Sequence, residues 1–208
     1  MKTLLKISMG MLAIALLGME PAVRGDPSPA GPAPEATPKA MYDVLLRAMK
    51  AGASLGFQGR LKLLDPELRR DLNLPLMTRL VVGPPWRSLG PEERRSLVEA
   101  FSDYSIAVYA SRFDSYSGEK FIVDPGTTEL PSGDAIAHTR LVPGDGDTVQ
   151  LDYLLRRGEG GWRVIDVFLS GTISELATRR SEYSTVLRAG GAGALVRLLR
   201  QKTAELKN

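Results

Sequence analysis

Few residues of this chain are equipped for covalent chemistry. Its 208 residues include no cysteine and one histidine, His138. Thiol nucleophiles, disulfides and cysteine-held metals are excluded, and so is any site that needs several histidines. His138 falls mid-strand with no acidic or thiol partner close in sequence, and reads as a surface or satisfied strand histidine. Asp166 stands in an otherwise apolar run, Trp162-Arg-Val-Ile-Asp-Val-Phe-Leu169. A carboxylate there has to be paired, hydrogen-bonded or shifted in pKa. It is either a structural anchor, tied to an arginine or a backbone turn, or a general base in an apolar cavity. No phosphate loop, dinucleotide fingerprint, zinc-protease helix or EF-hand loop occurs. The glycine-rich stretch Gly190–Leu199 looks like a phosphate loop but follows a helix rather than a strand. Arg179 and Arg180, with Arg197, Arg200 and Lys202, read as a solvated face or as a contact for an acidic membrane surface or protein.

The elements that position these residues centre on Asp147–Glu175. Val149, Leu151, Tyr153 and Leu155 alternate with Thr148, Gln150, Asp152 and Arg156, the period of a strand with one buried face. Gly158, Gly160 and Gly161 turn the chain into a second strand, in which Trp162, Val164, Asp166 and Phe168 share one face. Its other face, Arg163, Ile165, Val167 and Leu169, is also largely apolar, so this strand should be covered on both sides. Thr172-Ile-Ser-Glu175 has the form of a capping box that opens a helix. Lys120–Asp124 and Ala135–Val142 make two earlier strands, with Pro125-Gly126 and Pro131-Ser-Gly133 in the turn between them.

Helices flank these four strands. Met41, Val44, Leu45, Ala48 and Met49 share a face that begins after Pro38 and is interrupted by glycines 52, 56 and 59. Asp65-Pro66 reads as a new helix start, and Pro75 opens a short helix with Leu76, Leu80 and Val81 inward. The longest helix starts at Gly90-Pro91. Leu97, Phe101, Tyr104 and Val108 form one stripe, and Val98, Tyr109, Phe113 and Tyr116 form the next. After the strands, Ile173, Leu176, Tyr183 and Leu187 face inward, Gly190-Gly191 breaks the helix, and Leu195, Leu198 and Leu199 continue it. The order predicts an α+β domain: a four-stranded antiparallel curved sheet packed with several helices.

The N-terminus is of a different kind. Lys2 and Lys6 precede an apolar run from Ile7 to Met19, followed by small residues, the layout of a secretory signal peptide over residues 1–25. An uncleaved N-terminal anchor is the alternative, and without a cysteine no lipoprotein attachment follows. Residues 26–38, rich in Pro and Ala, read as a disordered leader, and residues 39–208 as the folded domain. The net charge is +3 for the whole chain, and three of the basic residues leave with the signal peptide. The remainder is close to neutral, which argues against a nucleic-acid partner. A curved sheet with a helix across it leaves a gap that side chains either fill or reserve for an apolar ligand.

Several stretches together resemble one family. Val82-Gly-Pro-Pro-Trp86-Arg-Ser-Leu-Gly-Pro91-Glu-Glu-Arg94 with Val98, Ala100 and Phe101 is similar to its mid-chain helix pair. Tyr116-Ser-Gly118, Leu151-Asp-Tyr153, Trp162–Val167 and Gly171-Thr-Ile-Ser174 follow in the same order as its later elements. The chain resembles the MlaC or toluene-tolerance family of lipid carriers over about residues 40–206, and Ile173–Tyr183 leans toward its hopanoid-associated HpnM branch. That resemblance implies a periplasmic shuttle for phospholipid or hopanoid, between an inner-membrane ABC transporter complex and an outer-membrane lipoprotein complex. It implies no cofactor and no catalysis. It also implies a pocket lined by Tyr116, Val149, Leu151, Tyr153, Val164 and Phe168, and Tyr109 and Phe113 of the long helix add rings suited to lining the same cavity. The alternatives are an NTF2-like enzyme using Asp166 in an apolar cavity, and an envelope interaction module with a packed core.

Overall fold

Met41, Val44, Leu45 and Ala48 recur at helical spacing, and each is 0 % exposed. They belong to α1, Ala36–Asp71, in a computed structural model that describes residues 31–207. The expected signal peptide and the first part of the leader lie outside the described residues. The helix starts at Ala36, two residues before Pro38, and Thr37 Oγ1 donates to the Trp162 carbonyl at 2.8 Å. Gly52 breaks α1 with φ 44° and ψ −122°, a backbone conformation that side chains resist.

The helix does not restart at Asp65-Pro66, as the sequence suggested, but runs through Pro66. An interior proline removes one hydrogen bond and costs about 3 kcal/mol. Leu64 and Leu68, both 0 % exposed, bury one continuous face across it and offset that cost. Asp65 accepts from Arg69 at 2.9 Å instead of capping a helix.

α2 spans Leu74–Val82, capped by Asn73, whose side chain accepts from Leu76 N. Its inner face is Leu74, Met77, Thr78 and Val81; Leu80, expected inward, is turned out. A single turn at Pro84–Ser88 leads to α3, Pro91–Arg112. Glu92 and Glu93 in the first turn favour the positive end of the helix dipole.

The strands are β1 (Lys120–Glu129), β2 (Ala135–Val142), β3 (Val149–Gly158), β4 (Gly161–Leu169) and a short β5 (Ile173–Ser174). They form one antiparallel sheet in sequence order, so the expected meander gains a fifth strand. Pro125-Gly126 is not the turn after β1 but an irregularity inside it, where the register shifts between Val123 and Thr127. α4, Glu175–Glu205, closes the chain and is broken at Gly190-Gly191. Among the described residues no helix is long and apolar enough to cross a membrane.

Two arginines tie helix ends to their surroundings. Arg163 of β4 donates to the carbonyls of Arg69, Arg70 and Leu72, at 2.6–3.0 Å, and fixes the end of α1 against the sheet. Arg60, 7 % exposed, donates to the Gly52 carbonyl at the α1 break and to the Ala110 carbonyl in the last turn of α3. The negative ends of two helices compensate this buried charge. Arg60→Met is expected to lower unfolding free energy by about 2–4 kcal/mol, because both carbonyls lose a charged donor. Chemical denaturation of the purified variant measures the loss.

Candidate functional site

In β3, Leu151 and Tyr153 alternate onto the helix-facing side of the sheet, as the sequence predicts. Their partners in β4 are Leu169 and Val167. Residues directly opposite across a ladder share a face, so these four side chains point to the same side. The sequence alternation placed Val164 and Phe168 together on one face of β4. Between Leu154 and Leu155 the register shifts, so that Leu155 opposes Val164 while Leu154 opposes Asp166. One extra residue there makes Val164, Ile165 and Asp166 consecutively buried and reverses the alternation beyond them. Val164 lies in the closed core at 0 % exposure. Phe168 opposes Asp152 and Ser174 on the other face.

Between this inner face and the helices lies an apolar cavity of about 140 Å³. Phe101, Ser105, Val108, Tyr109 and Arg112 of α3, followed by Phe113, make one wall. Leu151, Tyr153, Val167 and Leu169 make the sheet wall, while Leu72 and Met77 contribute from the α1–α2 corner. Glu175, Leu176 and Arg179 of α4, with Asp166, complete the lining. Leu151, Val167, Leu169 and Phe113 are half-buried and Arg112 is exposed, so the cavity reaches the surface along this side.

Aromatic side chains form a continuous band beside it. Tyr109 stacks on Phe113 with centroids 5.8 Å apart, and Phe113 lies 6.0 Å from Phe121 of β1. Phe121 stacks on Tyr42 at 4.3 Å, and Tyr42 meets Tyr153 edge-on at 5.7 Å. The Tyr42 hydroxyl is hydrogen-bonded to Thr139 Oγ1. Tyr42 was legible in principle: it falls three residues before Leu45 and seven before Met49, on their face of α1.

Of the eight residues expected to line a pocket, Tyr109, Phe113, Leu151 and Tyr153 come together in the cavity wall. Tyr116 lies beyond the end of α3, is 42 % exposed, and has the Lys50 ammonium 5.2 Å from its ring centre. Val149 is 39 % exposed at the start of β3. Val164 and Phe168 are placed as described, away from the lining. The lining residues the sequence did not offer come from the α1–α2 corner (Leu72, Met77), from β4 (Val167, Leu169) and from α3 and α4, Ser105, Arg112, Leu176 and Arg179 among them.

Asp166 serves as an anchor. One carboxylate oxygen accepts from the Val167 and Leu176 N–H groups at 2.7 and 3.2 Å, and the other accepts from the Ser174 hydroxyl at 2.5 Å. Ser174, not Thr172, caps α4, and its hydroxyl accepts from Ala177 N at 2.9 Å. With both carboxylate oxygens committed, Asp166 is poorly placed to take a proton from a substrate. His138 does have an acidic partner, supplied across the ladder. Its Nδ1 lies 3.2 Å from Asp152 Oδ1, and its Nε2 lies 3.0 Å from Thr128 Oγ1, on the sheet face opposite the cavity.

Burial keeps the cavity tyrosines neutral. Tyr109 retains some exposed area, yet the burial of its hydroxyl raises its pKa to about 12, and the nearby Arg179 and Arg112 only partly offset that. Burial likewise raises Tyr153 well above its ordinary value, and raises Tyr42.

The comparisons with known proteins agree with this architecture. The family described as MlaC protein matches residues 39–201. A phospholipid-binding protein from Ralstonia solanacearum, solved in complex with a phospholipid, superposes with a TM-score of 0.73 at 23 % sequence identity. The match covers 84 % of this chain and 99 % of that one, and at this identity it establishes the fold.

Asp166→Ala is expected to lose about 2–4 kcal/mol of stability in urea denaturation, by freeing two buried N–H groups and the cap hydroxyl. A free catalytic base in its place would leave stability nearly unchanged on replacement. The unfolded chain ionises its tyrosines near the ordinary value of about 10. Tyr109 in the folded state holds its proton to about 12. The folded state therefore binds more protons in that window, and stability falls as pH rises through it. Ultraviolet titration of tyrosinate alongside alkaline unfolding checks this.

Proposed function

The chain belongs to the MlaC family, and from that premise we propose that it is a lipid-binding carrier rather than an enzyme. The observation that carries the reading is the apolar, aromatic-walled cavity between sheet and helices, open on the side of Arg112. Nothing in its lining is arranged as a nucleophile with a base, and its one buried carboxylate, Asp166, is spent on the α4 cap.

The physics of the cargo fits such a container. Each methylene removed from water contributes about 0.8 kcal/mol, so a 16-carbon chain costs on the order of 13 kcal/mol to expose. A lipid crossing an aqueous space needs an apolar shelter of matching size and moderate grip. At about 140 Å³ the cavity is of the order of an engineered protein cavity that holds benzene. It takes a segment of an acyl chain as it stands, and complete tails require the half-buried rim residues Leu151, Val167 and Leu169 to part. In this reading the tails lie between sheet and helices while the head group stays at the open side.

We infer further, from the N-terminal layout of the sequence and the family, that the carrier works in the periplasm. There it would receive phospholipid or a hopanoid from one membrane complex, including an inner-membrane ABC transporter, and hand it to an outer-membrane lipoprotein complex. A hopanoid cargo is supported by the similarity of Ile173–Tyr183 to the HpnM branch.

Organic extraction and mass spectrometry of protein isolated from its own compartment are expected to release about one lipid per chain. Leu151 is half-buried, so Leu151→Arg is expected to keep the fold while cutting lipid uptake from vesicles about tenfold or more. Folded protein that carries no lipid and takes none from vesicles overturns the reading.

A further inference from the structure

The cavity wall contains one charged side chain whose partners do not account for it. Arg179, in the second turn of α4, keeps only 17 % of its side-chain area exposed. A guanidinium carries five N–H donors and is costly to bury unless they are used at close range. Arg179 reaches Glu175 Oε2 only at 3.9 Å and the Tyr183 hydroxyl only at 3.5 Å, and its guanidinium carbon lies 5.4 Å from the centre of the Tyr104 ring. None of these is a short charge-assisted hydrogen bond, which spans about 2.7–2.9 Å.

A second cation faces the same space. Arg112, in the last turn of α3, lines the cavity, is exposed, and has no carboxylate within 4.0 Å among the described residues. Both guanidinium groups are near enough to the Tyr109 hydroxyl to oppose the rise of its pKa, and both border the same cavity. The carboxylates facing this space are Asp166 and Glu175. Asp166 is held by its three hydrogen bonds, and Glu175 has only its loose contact with Arg179. Two cations without a short hydrogen bond to a carboxylate thus line one otherwise apolar cavity.

We propose that Arg179 and Arg112 form a seat for one phosphate group of a lipid head group. The seat selects phosphate-bearing amphiphiles over uncharged ones with the same tails. The proposal rests on the lipid-carrier reading and narrows it. The planar forks of the two arginines match phosphate oxygens, which accept short bonds from both sides. As the phosphate enters, Glu175, at 27 % side-chain exposure, gives up a 3.9 Å contact and turns to water. Tails fill the apolar part of the cavity and the phosphate stops at the arginines, so the head group marks how deep the lipid sits.

The test separates this proposal from the reading beneath it. Delipidated protein is incubated with phosphatidylcholine vesicles carrying trace labelled phosphatidylglycerol or labelled diacylglycerol with identical tails. The ratio of the two loadings is then measured. The wild-type ratio is expected to favour phosphatidylglycerol about tenfold or more, the scale of one or two charge-assisted hydrogen bonds. Arg179→Gln and Arg112→Gln are each expected to bring the ratio toward one. Arg112 is exposed, so its variant decides the question even if Arg179→Gln unfolds. A wild-type ratio near one, or a ratio unchanged in Arg112→Gln, overturns the seat while leaving a carrier of apolar tails in place. Loading of neither lipid overturns both. Excess inorganic phosphate is expected to leave the ratio unchanged. Its abolition by phosphate would assign the arginines to the free ion and overturn the head-group assignment.

Discussion

The carboxylate of Asp166 holds the first turn of α4 against β4, and the width of the cavity follows from that set of bonds. Leu176 and Arg179 line the cavity only because the N–H of Leu176 and the cap residue Ser174 are fixed to this one side chain. The register shift in the β3–β4 ladder brings Asp166 to that position. A regular strand would alternate Asp166 strictly with its neighbours and carry Val167 and Leu169 to the opposite side from Leu151 and Tyr153. The same irregularity therefore supplies the anchor for the helix and the apolar wall beneath it. This is one reason to read the buried carboxylate as architecture: its cost is met by three donors, two of which stand at the start of a helix.

What the sequence disclosed, and what it hid, follows from the range of the forces involved. The α+β order and the hairpin over Val149–Leu169 were legible because period-two alternation and glycine turns are local signals. Leu151 and Tyr153 were legible as inward-facing for the same reason, and the family resemblance gave them as lining. The irregularity near Ile165 left no mark in composition, since neither glycine nor proline stands there, so the alternation put Phe168 on the same face as Val164 whereas the structure separates them. Pro125-Gly126 did leave a mark, but the same residues serve a turn or a kink inside a strand, and the structure uses them for the latter. Pro66 was read as a helix start because local preference favours it, whereas the buried face of Leu64 and Leu68 decides the outcome. Arg179 was read as part of a solvated face. Only the packing of α4 over the sheet shows that it points into the cavity.

Polar groups inside this apolar space are kept few and uncharged where they can be. Tyr42 and Tyr153 contribute large ring area while their hydroxyls stay protonated. Tyr109 does the same at the boundary with the arginines. The space therefore grades from an aromatic band near Phe121 to a cationic margin at Arg112, the gradient an amphiphile has along its own length.

α4 is one helix in name and two in mechanics. Gly191 sits at φ 64° and ψ −163°, and a side chain there would be strained although nothing crowds the position. Most of the buried residues of α4 lie after this joint, at Ala192, Leu195, Val196, Leu199 and Thr203, while the residues bordering the cavity lie before it. The leading segment is fixed in its own right, its first turn tied to Asp166 and its Tyr183 only 1 % exposed, so the joint sets the angle between two separately seated segments. One helix thereby fills two places, its first turns bordering the cavity and its later turns burying Leu195, Val196 and Leu199 in the core.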